Sequence, residues 1–197
     1  MIIQIVAFVL LVVFYITHIG KKMRMKRKNT HIDLLADKAN KGKTATVQMA
    51  LKTVTYITMT VQFASVLFAK YVWSLPAVPT MQEDGVILMA VGVAFFIIAM
   101  TTMNTDWRAG YKKGQGTNLV THGIYKFSRN PAFVGFDLLY IGCALTFPNP
   151  FNIAAALMSI VMFHIQILGE EKFLAETFGQ EYIDYKAKTM RYLGRRK

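Results

Sequence analysis

Four uninterrupted apolar runs, residues 2–19, 85–103, 133–147 and 153–168, constrain this chain more than any other feature, and residues 47–72 make a fifth if Lys52 lies near its end. A bilayer core of roughly 30 Å takes about 20 residues of helix. The first and third runs along the chain, counting 47–72, are most readily long enough, while 133–147 is short and ends at Pro148-Asn149-Pro150. With 54% hydrophobic and only 17% charged residues, the chain lacks a soluble domain's balance. The expected fold is therefore all-α: a polytopic membrane protein with about five transmembrane helices, the last two a helical hairpin, followed by a cytoplasmic C-terminal helical segment.

The flanks predict the orientation. Lys21, Lys22, Arg24, Lys26, Arg27 and Lys28 follow the first run and nothing positive precedes it, so the N-terminus is expected outside. A secretory signal would carry its positive charge first and small residues at a cleavage site, so this start reads as a retained anchor. Lys70, Glu83 and Asp84 then fall outside, Arg108, Lys112, Lys113, Lys126 and Arg129 inside, and the basic C-terminus inside.

The net charge of +12 is mostly this topology signal, with added attraction to anionic lipid headgroups, and nucleic acid is not an expected partner. Cys143 is alone in an apolar run and reads as a small buried hydrophobe. His18, His31, His122 and His164 show no spacing that pairs two ligands on one helical face, so no metal is expected. His164 lies inside the last run, where an ionisable side chain is costly and turns to the bundle interior or a cavity.

Between the runs, Thr30-His31-Ile32-Asp33-Leu34-Leu35 suggests a capped interfacial helix stopped near Gly42. The segment 104–130, with Gly110, Gly114, Gly116 and Gly123, reads as an irregular cytoplasmic loop, a length more often functional than idle. Backbone amides around Leu119, Val120 and Gly123 can bond a purine edge. The helix start at Pro131 offers free N–H groups and a positive dipole end to a carboxylate. Glu170 and Glu171, leaving the last run at the same membrane face, can take an ammonium or a ribose hydroxyl; an acidic pair there is also what a solvated helix end looks like.

The ordered set Leu119-Val120-Thr121-His122-Gly123-Ile124-Tyr125, Arg129-Asn130-Pro131, an apolar hairpin, Glu170-Glu171, Phe178-Gly179-Gln180-Glu181-Tyr182 and Tyr185 resembles the isoprenylcysteine carboxyl methyltransferase family and its phospholipid methyltransferase relatives, over residues 107–192. The resemblance implies S-adenosyl-L-methionine in a cytoplasm-facing pocket and a lipophilic acceptor entering from the bilayer. It divides the single domain, residues 1–197, into anchoring helices over 1–84 and a catalytic, cofactor-binding part over 85–197. Carried over by position, Leu119, Val120, Gly123, Tyr125, Asn130, Pro131, Ala132, Phe133 and Glu170 line the cofactor site. Glu171, Tyr182, Tyr185 and Arg191 support it, the two tyrosines as a lid or as ordinary packing of an amphipathic tail. Trp107, Arg108, His164 and Gln166 fall to the acceptor.

Three residues depart from the family pattern. Asn130 and Phe133 stand where it has histidine and tyrosine, and Gln166 stands one turn before Glu170, where its carboxyl methyltransferases carry an arginine. A neutral amide cannot replace a bidentate guanidinium, so a carboxylate acceptor requires its charge from Arg129 or Arg108. A carboxylate or thiolate acceptor needs only alignment and desolvation. An amine, as in phospholipid N-methylation, needs a base, and Asp137 and His164 are the intramembrane candidates, Asp137 serving equally as a structural hydrogen-bonding group. Arg129 and Asp137 are thus the expected catalytic pair. A sterol-reductase-like membrane reductase would bind a nicotinamide cofactor, but the chain is short for that larger bundle and lacks a Gly-rich dinucleotide fingerprint. A non-catalytic scaffold or small transporter would not need the Pro131 and Glu170 ends to converge. The compact plan suggests a prokaryotic plasma membrane.

Overall fold

The computed structural model describes residues 1–27, 43–72, 74–76, 79–103 and 118–196. The expected interfacial helix after Thr30, Trp107, Arg108 and Gly110, Gly114 and Gly116 lie outside the described residues. Among the described residues the chain forms six α-helices: α1 (Ile2–Arg27), α2 (Lys43–Leu67), α3 (Pro79–Met103), α4 (Pro131–Thr146), α5 (Pro150–Phe178) and α6 (Gln180–Lys188). A 3-10 turn, Gly123–Lys126, precedes α4, and an isolated antiparallel bridge joins Thr189 to Arg195 after α6.

Proline occupies the first turn of both α4 and α5, where a missing N–H costs nothing. Asn149 caps α5 by accepting from the Asn152 amide at 2.9 Å. α5 ends where Gly179 adopts φ 54°, in the left-handed region that glycine enters without a Cβ penalty.

Ile2–Arg24, Pro79–Met103 and Pro150–Phe178 are long and apolar enough to cross a membrane, and α4 is a shorter apolar helix of 16 residues. α2 is more polar in sequence, and its packing sorts the two kinds of residue: Gln48, Thr58, Gln62 and Ser65 are all buried, while Met49, Tyr56, Ile57 and Leu67 face outward. Several of its polar groups are spent on neighbours, although Gln62 Nε2 has no hydrogen-bond partner among the described residues. Gln62 accepts from the Tyr15 hydroxyl at 2.7 Å, Thr58 Oγ1 lies 2.7 Å from Ser159 Oγ, and Ser65 accepts from Asn149 Nδ2 at 3.0 Å.

The closest approach in the bundle is between α3 and α4, not within the α4–α5 hairpin. A Cβ built on Gly142 would meet Gly85 O at 2.5 Å, and one on Gly135 would meet Gly92 O at 2.8 Å. The two pairs are seven residues apart on each helix, so the backbones touch twice along one seam, as small residues permit where apolar burial alone does not drive association. Phe14, Phe96, Phe136 and Phe163 fill the centre, with centroid separations of 4.4 Å for Phe14–Phe96, 5.1 Å for Phe96–Phe136 and 5.0 Å for Phe136–Phe163. Cys143 is fully buried beside them.

Candidate functional site

Five helices and the 3-10 turn enclose a cavity of about 370 Å³, a size ordinary for a small-molecule site. Glu170 and Pro131 both line it, so the two ends whose separation would mark a scaffold meet on one space. Tyr125, Arg129, Asn130, Ala132, Phe133 and Gln166 line it too. The α5 contribution, Phe163, Gln166, Glu170 and Leu174, follows one helical stripe.

At the α4 end the Val134 amide already bonds Asn130 O at 3.1 Å and Pro131 has no N–H, which leaves the amides of Ala132 and Phe133 at the open helix start. Glu170 is half-buried and accepts from Gln166 Nε2 at 2.9 Å. A helix start with free amides and a carboxylate thus face one cavity whose remaining wall is largely aliphatic and aromatic. Those groups fit the carboxylate and ammonium of an amino-acid-bearing nucleoside such as S-adenosylmethionine.

Glu171 has a different task. Arg129 donates to its Oε1 through Nε at 3.0 Å and Nη2 at 2.6 Å, and Arg191 donates to Oε2 through Nη2 at 2.9 Å. The Arg129 and Glu171 side chains are each 5% exposed, against 33% for Arg191. Arg129 also donates through Nη1 to the Thr189 carbonyl, and its amide bonds Met190 O at 3.0 Å. Asn130 Nδ2 donates to Arg191 O at 3.1 Å, and the Gly194 amide to Phe127 O at 2.7 Å. The segment after α6 is thereby strapped across residues 125–130, directly behind the cavity wall.

Tyr185 completes the strap, its hydroxyl donating to Tyr125 O at 2.7 Å, and Tyr182, 1% exposed, packs edge-on to it. Burial pushes the Tyr182 phenol up to about 12 and raises that of Tyr185 as well, so Tyr185 keeps the proton it donates. Neither tyrosine lines the cavity.

The remaining sequence-predicted residues lie elsewhere. Val120 packs with Ala99 and Tyr125, and Leu119 and Gly123 are not in the cavity wall. Asp137 and His164 also stand off it: His164 Nδ1 pairs with the Tyr192 hydroxyl, and Asp137 Oδ1 is buried without a hydrogen-bond partner among the described residues. Sequence reasoning missed the wall supplied by α1 and α2, which includes Tyr15, His18, Lys22, Lys52, Tyr56 and Met59. Only Lys52, an interruption in an apolar run, carried a readable signal.

Known proteins resemble this chain in sequence. The family model described as phospholipid methyltransferase matches residues 81–181. The chain is 35% identical over 107 residues to a protein-S-isoprenylcysteine O-methyltransferase of Saccharomyces cerevisiae, covering 53% of this chain and 45% of that one. It is 43% identical over 68 residues to the Tribolium castaneum protein of that name, covering 34% and 24%, and 31% identical over 106 residues to protein-S-isoprenylcysteine O-methyltransferase A of Arabidopsis thaliana, covering 51% and 53%. The chain thus spans about half or less of the length of these relatives. The matched region runs from the start of α3 through the hairpin into α6, taking in the Pro131 helix start, Gln166 and the Glu170–Glu171 pair, and this chain belongs to the phospholipid methyltransferase family.

Proposed function

We propose that the chain is an S-adenosylmethionine-dependent methyltransferase whose acceptor is a lipophilic carboxylate reaching the cavity from the bilayer, in the manner of the relatives named isoprenylcysteine O-methyltransferases. The observation that carries this is the meeting of the α4 start and Glu170 on one cavity with a large aliphatic and aromatic wall. S-adenosylmethionine supplies, when bound, a methyl group on a sulfonium that needs no further activation. The chain's own work is placement. Glu170 holds the ammonium, the Ala132 and Phe133 amides hold the carboxylate, and Phe133, Phe136 and Phe163 keep water from the transfer path. An acceptor carboxylate is nucleophilic as it arrives. An amine would need a base; Asp137 and His164 are not in the cavity wall, so that base would have to be His18 or Glu170, which are.

We place α1 to α5 across the membrane as one domain, N-terminus outside, with α6 and its strap on the cytoplasmic face. Residues 85–197 supply the cofactor end, and the helices of residues 1–84 complete the acceptor end.

The test is tritium transfer from labelled S-adenosylmethionine in proteoliposomes containing N-acetyl-S-farnesylcysteine. Methyl esters release volatile counts in alkali, whereas methylated amines do not. Alkali-labile counts that disappear in Glu170→Ala are expected. Alkali-stable counts on phosphatidylethanolamine would move the acceptor to an amine, and no transfer to either would contradict the methyltransferase reading.

A further inference from the structure

The strap after α6 is a small hairpin. Thr189 and Arg195 form its antiparallel bridge, the Met190 amide bonds Gly194 O and the Arg196 amide bonds Lys188 O, both at 3.0 Å. Thr189 is buried, and its hydroxyl donates to Lys126 O. Side chains alternate along an extended strand, so Met190 turns the other way, and a Cβ on Gly194, which opposes it, would meet Met190 Sδ at 2.8 Å. Lys188 and Arg196, opposed in the pair on the other side of the bridge and both exposed, extend that outer face. The hairpin thus has a basic stem and a tip on which Met190, Tyr192 and Leu193 are exposed.

Contacts with the hairpin of α4 and α5 set the depth of this tip. The Tyr192 hydroxyl lies 2.5 Å from His164 Nδ1, and the two rings stack. Counting about 20 residues from Pro150, the length that fills a bilayer core, ends near Gly169, so His164 falls about 8 Å inside that core. The other helix gives the same level: burial first, and then the Asp137 carboxylate beside it, raise the Tyr192 phenol, and Asp137 is six residues into α4 from Pro131. Ile165 and Leu168, the exposed apolar residues of α5 nearest His164, belong to the face that meets acyl chains. Asp137 and His164, which the cavity does not use, are therefore met by a phenol hydroxyl at a depth where water is scarce.

We propose that the hairpin is a membrane clasp for acidic lipid: Met190 and Leu193 enter the cytoplasmic leaflet beside α5, Tyr192 sits at its interface, and Lys188 and Arg196 bind anionic headgroups above them. An apolar tip under a basic stem is the arrangement that suits such a leaflet. Arg129 and Asn130 bond the backbone of this same segment and line the cavity, so the clasp anchors the cavity wall to the bilayer. This rests on the membrane placement of α5 given above and is independent of methyl transfer.

The experiment is nitroxide accessibility on the full chain with Cys143→Ala, carrying one labelled cysteine as Leu193→Cys, Ile165→Cys or Asp184→Cys, in vesicles of phosphatidylcholine alone or with phosphatidylglycerol. Oxygen concentrates in hydrocarbon and a nickel chelate stays in water. With phosphatidylglycerol present, the label at position 193 is expected to favour oxygen as the one at 165 does, while the label at 184, on exposed α6, favours the chelate. Each stem charge should move the balance between inserted and withdrawn tip about fivefold toward insertion over an acidic leaflet. The oxygen preference at 193 should therefore fall in phosphatidylcholine alone, and fall likewise in Lys188→Gln/Arg196→Gln with phosphatidylglycerol present. A label at 193 that behaves like the one at 184 in both vesicles, or an oxygen preference that is equal in the two lipids and unchanged by the double substitution, would overturn the proposal. A label at 165 open to the chelate would instead remove the membrane placement of α5, and the clasp with it.

Discussion

Glu171→Ala is expected to release the C-terminal strap and destabilise the protein by about 3–5 kcal/mol, the range for breaking a buried ion pair from one side. The cost comes from Arg129. Its side chain is 5% exposed and Glu171 is its carboxylate, so removing Glu171 leaves a buried guanidinium with carbonyl partners alone. Arg191, a third exposed, can turn to solvent, and Arg191→Ala should cost much less. Limited proteolysis after Lys186 and Lys188 reads strap release, and unfolding in denaturing detergent reads the overall loss. A Glu171→Ala protein as resistant as Arg191→Ala would show that the strap is held by its backbone bonds, Arg129 to Met190 and Gly194 to Phe127.

Gly142→Val should be damaging on a comparable scale. The new Cβ would lie 2.5 Å from Gly85 O and 2.7 Å from the Met89 amide, both backbone atoms of a continuous helix that cannot rotate aside. α3 and α4 must separate, and the second contact, Gly92 with Gly135, opens with them. Overpacking a well-filled core costs about 1–3 kcal/mol; a clash with backbone at both ends of a seam belongs at or above the top of that range. Gly20→Ala is the control, since a Cβ there meets nothing within 4 Å and an exposed helical glycine gains about 0.5–1 kcal/mol as alanine. Folded yield and detergent-induced unfolding of the two variants should diverge in opposite directions from wild type.

Much of the architecture was legible because bilayer length and proline chemistry leave marks in single residues. Pro131 and Pro150 start helices, Gly179 stops one, and each apolar run overlaps one of α1 to α5, although 47–72 continues past the end of α2 at Leu67. α2 was harder to read by hydropathy since an inward polar face and an outward apolar face average out. The α3–α4 seam had a signal that went unread: glycines seven apart at 85 and 92, and again at 135 and 142.

Within the site, helical phase separated the residues that neighbour one another in sequence. Phe163, Gln166, Glu170 and Leu174 share a stripe facing the cavity. His164 and Glu171 are each one residue away, about 100° around the helix. His164 accordingly meets Tyr192, while Glu171 meets Arg129 and Arg191. On α4 the same rotation takes Asp137 out of the wall that Phe136 lines. What no single-chain reading could supply was the wall from α1 and α2, because hydrophobicity says that a helix is buried in lipid or protein without saying which cavity its polar residues reach.

The central claim is that Glu170 and the α4 start form the two ends of one cofactor site. Calorimetric titration of the detergent-purified protein with S-adenosylhomocysteine, beside Glu170→Ala, tests it most directly. Micromolar binding that is lost in Glu170→Ala is the predicted result; equal binding by both proteins, or none by the wild type across several detergents and lipids, would contradict it.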